Sequence, residues 1–491
     1  MTSAAVLVVG GVALGPAAWP APTALTESAT FDYPSGVRTG FAADLDGDYA
    51  VFSQVQGRSV TFAHFTGPAP ADWEQMTMAE AAQVTDYGVA VGIDGGRAAV
   101  LGMDGTAVNL YVYTRDAGNL WSRSQTITLP APPAGDTIGG VGDILDMDGP
   151  MVAIGAPNSR IGGKSNAGAV YLVNLDTGKI DRITAGTVVA SSIFGQSVSV
   201  GGGYLAVSSP QVQGTYGEFG AARFRLGRVH LFDLSGSPIP TERVIDYPVN
   251  SLTYPAGSAS VRPFGTILAL RGGLLYAAAP AEMNYTSDDT DDTLGGVNPT
   301  SVIAGTTTQG AIYAFDAATG AQVGDRILPP PHSFGFGAKF DVQGDTLVAS
   351  SYQLDPVAPG RGEVYAYNTK GLFTGAPNPA NHARIRPTAD QMLRPVNTPN
   401  NSFFGSNRIT FGGSVRVSGT RVLVGVPEMG TTGKAFVFDH VEPKVPVRTA
   451  TISAPTVTYG EPSVVSLTSN RDGGDGGTVE FVIGSVKSGP V

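Results

Sequence analysis

The sequence contains no cysteine. That excludes disulfides, thiolate nucleophiles, zinc–thiolate sites and iron–sulfur clusters together. It leaves the compartment open, because a large domain needs no disulfide even in oxidising surroundings. Charge is also scarce, at 14% of residues, and the net charge is -11. An acidic chain without clustered Lys and Arg repels a phosphate backbone, so nucleic acid is excluded as a partner. No apolar run reaches the ~20 residues of a transmembrane helix. Tryptophan occurs only 3 times and histidine 5 times. What is abundant is 66 Gly and 35 Pro, with 42% hydrophobic residues. That mixture disfavours long helices and favours many short strands joined by turns around a sizeable core.

The chain begins with an apolar run over residues 4–15, followed by a Pro/Ala stretch. The length is that of a signal-peptide core, although a basic n-region is missing and Pro22 sits two residues before Ala24. A buried first strand is the competing reading. Residues 1–24 are taken as a signal peptide, which makes the protein secreted or surface-displayed.

One sentence recurs along the chain. "FGQSVSVGGGYLAVSSP" from Phe194 aligns with "TGFAADLDGDYAVF" from Thr39, "YGVAVGIDGGRAAVLG" from Tyr87 and "VGDILDMDGPMVAIGAP" from Val141. It aligns equally with "FGTILALRGGLLYAAAP" from Phe264, "FGAKFDVQGDTLVASS" from Phe336 and "FGGSVRVSGTRVLVGVP" from Phe411. The shared pattern is aromatic-Gly (Thr-Gly and Val-Gly in two copies), alternating strand, Gly-containing tight turn, second strand, then small residues. A third strand opened by Gly follows, as in "GAVYLVNLDTG" from Gly168 and "GAIYAFDAATG" from Gly310, and a fourth β-rich segment after it. Four strands in each of seven repeats, at or above the ~40 to 50 residues of a propeller blade, predict a seven-bladed β-propeller. The segment "ATFDYP" from Ala29 matches the fourth-strand segment "VIDYP" from Val244. It is therefore expected to complete the last blade and remove an exposed sheet edge.

The pattern resembles the FG-GAP repeat family, on Phe194-Gly195 and Gly155-Ala156-Pro157. The resemblance covers roughly residues 39 to 440 and implies an extracellular propeller used in adhesion or ligand binding. Many relatives carry a calcium loop of the form D-x-D-x-D-G. Here the nearest matches are Asp44, Asp46 and Asp48, and Asp146 with Asp148, which lack the full ligand run and fall at hairpin turns. The chain therefore resembles short-turn forms without calcium loops. Asp288, Asp289, Asp291 and Asp292 remain the candidate metal site, with Ca²⁺ the one ion considered and a solvated acidic loop the competing reading.

Other catalytic patterns are missing. His64, His230, His332, His382 and His440 show no paired ligand spacing, and His230 stands where other third strands carry Tyr, as a packed strand residue would. No G-x-S-x-G elbow or P-loop occurs. The alternating aromatics of the third strands point to blade packing. Long insertions fall between second and third strands and between blades, which places them on one face. The expected assignment is an all-β chain: a leader at 1–24, a propeller at 26–440, a Pro-rich linker at 441–448 and the start of a sandwich at 449–491. That last segment resembles bacterial Ig-like domains in "PTVTYGEP" and "GTVEFVIG". The expected role is a monomeric binding or adhesion module for an extracellular protein or glycan, within a larger multidomain chain. The alternatives are an extracellular hydrolase or lyase with a site at the channel mouth, and an accessory domain of a larger enzyme. Carboxylates or histidines converging at that mouth would favour the enzyme.

Overall fold

The computed structural model describes residues 23–32, 39–54, 58–67, 73–80, 83–130, 143–215, 223–236, 241–248, 264–280, 310–328, 333–354, 359–370, 372–373, 391–393, 414–426, 433–439 and 441, and four short strands within 450–487. The chain divides into two compact units, Met1–Lys444 and Val445–Val491.

Blade 3 shows how the repeat folds. Leu145–Asp148, Met151–Ala156, Ala169–Asn174 and Ile180–Ile183 pair antiparallel in that order. Asp148 and Met151 close the first hairpin around Gly149, at φ +55°, where a side chain is disfavoured. The second and third strands are buried along nearly their whole length, because a neighbouring blade covers each face. Outer strands such as Glu74–Ala79 and Trp121–Thr128 show mostly exposed residues to solvent.

The first strands are Thr39–Asp46, Val84–Asp94, Leu145–Asp148, Val198–Gly201, Leu268–Arg271, Phe340–Gln343 and Ser414–Ser418. Each contacts the first strand of the next blade, and the seventh contacts the first, so the ring closes around an axis. Among the described residues five blades hold four strands, and blade 6 holds its four plus Thr23–Leu25 and Ser333–Phe334; in blade 5 single bridges from Gln322 and Ile327 stand in the fourth position. Closure occurs as the sequence implies: Ala29–Asp32 is the outer strand of blade 7, with Ala29 opposite Val437. A second N-terminal strand, Thr23–Leu25, pairs parallel with Gln391–Leu393 of blade 6. The residues assigned to the leader overlap this strand at Thr23 and Ala24.

The repeated glycines are inter-blade joints. Gly168, which opens the third strand of blade 3, bridges Phe194 of blade 4, and Gly227 bridges Phe264 in the same way. A Cβ on Gly168 would overlap the Phe194 carbonyl, and one on Gly155 would overlap the Gly195 carbonyl. The Phe-Gly of one blade and the Gly-Ala-Pro of the preceding blade are thus two halves of one contact. The Phe rings turn into their own blades: Phe194, Phe264 and Phe336 are fully buried, and Phe264 meets Tyr313 edge-on at 5.6 Å.

In the second unit, Ala450–Ser453 pairs with Ser466–Ser469, and Val482–Ile483 with Val486–Lys487. Among the described residues these two ribbons share no strand.

Candidate functional site

The seven first strands present two tiers of side chains to the channel. The tier at the hairpin turns is Asp46, Asp94, Asp148, Gly201, Arg271, Gln343 and Ser418. Two residues earlier in each strand come Asp44, Gly92, Asp146, Ser199, Ala269, Asp341 and Arg416.

Most polar members of both tiers reach one blade forward. Asp44 accepts from Ile93 N (2.8 Å) and Asp46 from Gly95 N (3.0 Å). Asp94 accepts from Gly149 N, Asp146 from Val200 N and Ser199 Oγ, and Asp148 from Gly202 N. Ser199 Oγ accepts from Leu270 N, Asp341 from Val417 N and Gln343 from Gly419 N. Ser418 Oγ accepts from Gly47 N at 2.8 Å, which joins blade 7 to blade 1. The first strands of adjacent blades contact without pairing as a sheet, so their channel-side N–H groups need side-chain acceptors. The aspartates that sequence reading assigned to turn geometry therefore have a second role as bonds between blades.

An ion network crosses the axis below the turns. Lys339 Nζ meets Asp143 at 2.9 Å, and Arg416 meets Asp44 at 3.2 Å and Asp143 at 3.9 Å. Arg271 meets Asp146 at 3.6 Å. Blades 1, 3, 5, 6 and 7 are tied together by these contacts. Four carboxylates, counting Asp341, face three cations. Burial pushes Asp44 up to about 7; Arg416 and the Ile93 N–H oppose the shift, and Asp146 and Asp341 add to it. Burial likewise raises Asp341, against Arg271 and Arg416. Burial opposes ionisation of Asp143 too, but Lys339 and Arg416 outweigh it and hold that carboxyl below its usual range.

Above the network lies a cavity of about 270 Å³, opening between the hairpin turns. All seven blades line it, through residues that include Asp44, Asp46, Asp94, Asp148, Arg271, Asp341 and Gln343. Carboxylates therefore do converge at a channel mouth, and nearly all are engaged with another blade. Among the described residues no group of three or more His, Cys, Asp or Glu is arranged to hold a metal ion. Asp48, the third member of the first Asp run, pairs with Arg421 at 2.8 Å. The candidates Asp288, Asp289, Asp291 and Asp292 lie outside the described residues, as do His332, His382 and His440.

His64 and His230 are each held by a carboxylate. His64 stacks on Tyr49 at 4.3 Å and bonds Glu74 at 2.9 Å. His230 is packed edge-on against Phe194, as expected of a strand residue. It also sits between Glu242 (2.7 Å from Nδ1) and Ser209 (3.0 Å from Nε2). The bond to His230 holds Glu242 below its usual range against partial burial, and the Gly186 N–H adds to this. The order Ser–His–Glu is that of a charge-relay triad. Ser209, however, is only 1% exposed, and the blade 3–4 connection is bonded across the group, through Gly186 N to Glu242 and Gln211 N to Ser192 O. A substrate carbonyl has no approach to that hydroxyl, and the three residues form a buried polar clamp.

No known protein-family profile matches the chain. No curated protein is similar to it. Among solved structures, it is similar to the β-propeller domain of the Trilobed protease from Pyrococcus furiosus (TM-score 0.42, 8% identity, 81% of this chain and 92% of that one). It is also similar to Hsv2 of Kluyvelomyces marxianus (0.39, 11%, 89% and 98%) and to apo AztD from Citrobacter koseri (0.38, 12%, 90% and 91%). Likeness at these scores says nothing about activity. The seven blades are counted in this chain's own sheets.

Proposed function

We propose that the chain is a binding propeller of the FG-GAP kind, secreted or displayed at a cell surface, which holds a protein or glycan on the face where its long connections leave. The observation that carries this is the asymmetry of the blades. First and second strands are joined by two-residue turns, such as 47–48, 95–96, 149–150, 202–203 and 272–273. Second and third strands are joined on the opposite face by 157–168 in blade 3 and 280–310 in blade 5, although by only 105–106 in blade 2. Contrary to the expectation of a single loop face, the third and fourth strands of blade 6 are joined on the turn face by 369–390. Connections of variable length on a rigid scaffold are where binding residues concentrate. Most of the axial charges, by contrast, make at least one bond that joins blades. FG-GAP kinship is supported by the joint that Gly155 makes with Gly195. A leader ending before Thr23 leaves the Thr23–Leu25 strand intact, and 449–491 fits the start of an Ig-like spacer.

The test is binding of the labelled full chain to a glycan array and to intact bacterial cells. Replacing residues 283–307 with a short Gly-Ser turn is expected to reduce retention by about tenfold or more, with the urea midpoint unchanged. Retention equal to that of the unaltered chain, or a full chain that binds neither surface, would overturn the proposal.

A further inference from the structure

The channel mouth on the hairpin-turn face has two unlike arcs. Over blades 1 to 3, Asp46, Asp94 and Asp148 each commit one carboxylate oxygen to the turn N–H of the next blade. Among the described residues their other oxygens have no protein partner. Over blades 4 and 5 the ladder is interrupted. The positions that should accept from Gly272 N and Gly344 N hold Gly201 and Arg271, neither of which has an acceptor to offer. Among the described residues these two N–H groups meet no side-chain oxygen, whereas their counterparts at Gly47, Gly95, Gly149, Gly202 and Gly419 all do. Arg271 and Gly272 line the same cavity, and the Arg271 guanidinium contacts Asp146 and its own strand at Leu270 O. The mouth therefore offers acceptors of negative charge on one side and unanswered donors on the other.

The cavity between the arcs holds about 270 Å³. That lies just under the ~300 Å³ at which drug-sized pockets begin, and it suits one six-membered ring. Its lining carries more carboxylates than cations, so its field selects a positive ligand. The unanswered N–H groups add a demand that a bare cation does not meet: oxygen acceptors on the ligand's far side. We infer that the mouth binds a monosaccharide-sized organic cation carrying oxygen acceptors, the chemistry of an amino sugar. Its ammonium lies against Asp94 and Asp148, and its ring or hydroxyl oxygens against Gly272 N and Arg271, all of which line the cavity. This site is on the face opposite the 157–168 and 280–310 connections and stands or falls independently of the role proposed for them.

Titration calorimetry of the full chain at pH 6.5 tests it with three probes of similar size. Glucosamine has both features, glucose lacks the charge, and cyclohexylammonium lacks the acceptors. Saturable 1:1 binding of glucosamine is expected, with glucose and cyclohexylammonium each weaker by about tenfold or more. The double variant Asp94→Asn/Asp148→Asn keeps an acceptor for Gly149 N and Gly202 N, so its urea midpoint should stay near that of the unaltered protein while glucosamine affinity falls about tenfold. The assignment is overturned if glucosamine gives no saturable heat at millimolar concentration. It is equally overturned if cyclohexylammonium binds as tightly as glucosamine, or if a folded double variant binds glucosamine unchanged.

Discussion

Replacing Gly168 with Ala should lower the unfolding free energy by about 4 kcal/mol, in urea titrations followed by tryptophan fluorescence. Two effects add. Gly168 sits at φ +82°, where an L side chain costs about 1–2 kcal/mol. Its Cβ would also overlap the backbone of Phe194 in the next blade, and forcing a close-packed joint apart costs about 1–3 kcal/mol more. Gly202→Ala separates the two effects. Gly202 lies at φ +58° in a hairpin turn, with nothing within 4 Å of where its Cβ would be. It should lose only the first part, about 1 kcal/mol. Equal losses at the two positions would show that Gly168 is a turn residue and that the joint has no special packing demand.

The second large effect is expected at Arg416. Arg416→Met removes the Asp44 pairing and part of that of Asp143, and should destabilise the fold by about 3–5 kcal/mol at pH 7.5. Lys339 still serves Asp143, so Asp44 is the group left buried and unpaired. Adding Asp44→Asn, which retains an acceptor for Ile93 N, should recover about half of the loss. The pH dependence has a definite sign. The unfolded Asp44 carboxyl ionises near its ordinary value of 3.8, whereas the folded one holds its proton to about 7. Between those values the folded state binds more protons, so this group lowers stability as pH rises and has no further effect above 7. With its side chain 16% exposed, the total is on the order of 3 kcal/mol. The unfolding free energy of Asp44→Asn relative to the unaltered protein should therefore climb from pH 4 to pH 7 and then level off. A flat difference would mean that Asp44 is ionised throughout.

The blade pattern was legible in the sequence because each repeat is one local unit. Alternation, the turn Gly and the Gly that opens the third strand all lie within a few tens of residues. Closure by Ala29–Asp32 was legible for a similar reason, since that strand copies the fourth strand of another blade. Thr23–Leu25 was not legible: three residues pair with a strand at 391–393, and nothing in either segment names the other. The axial site was half legible. Asp44, Asp46, Asp146 and Asp148 stand out as Asp-x-Asp-Gly, but their partners are backbone N–H groups of the next blade, which no side-chain motif encodes. Arg271, Asp341 and Arg416 are single charges in otherwise apolar strands such as "LALR" and "SVRVS". The signal that locates them is the repeat itself. Aligned on their turns, the seven copies put Asp44, Asp146, Asp341 and Arg416 in one column, facing the axis. Ser209, His230 and Glu242 carry the same kind of signal. They stand where blade 3 has Ala156, Tyr171 and Ile180, but the signal is weaker at Ser209, because blade 6 has Ser351 at that position.

The account holds above all that the axial side chains are bonds between blades. Amide hydrogen exchange at the hairpin turns tests this most directly. Turn-tip N–H groups exchange quickly unless something accepts from them. Gly47, Gly95, Gly149, Gly202 and Gly419 should each exchange at least about tenfold more slowly than Gly272 and Gly344, whose acceptor positions hold Gly201 and Arg271. Uniform rates across all seven turns would contradict it.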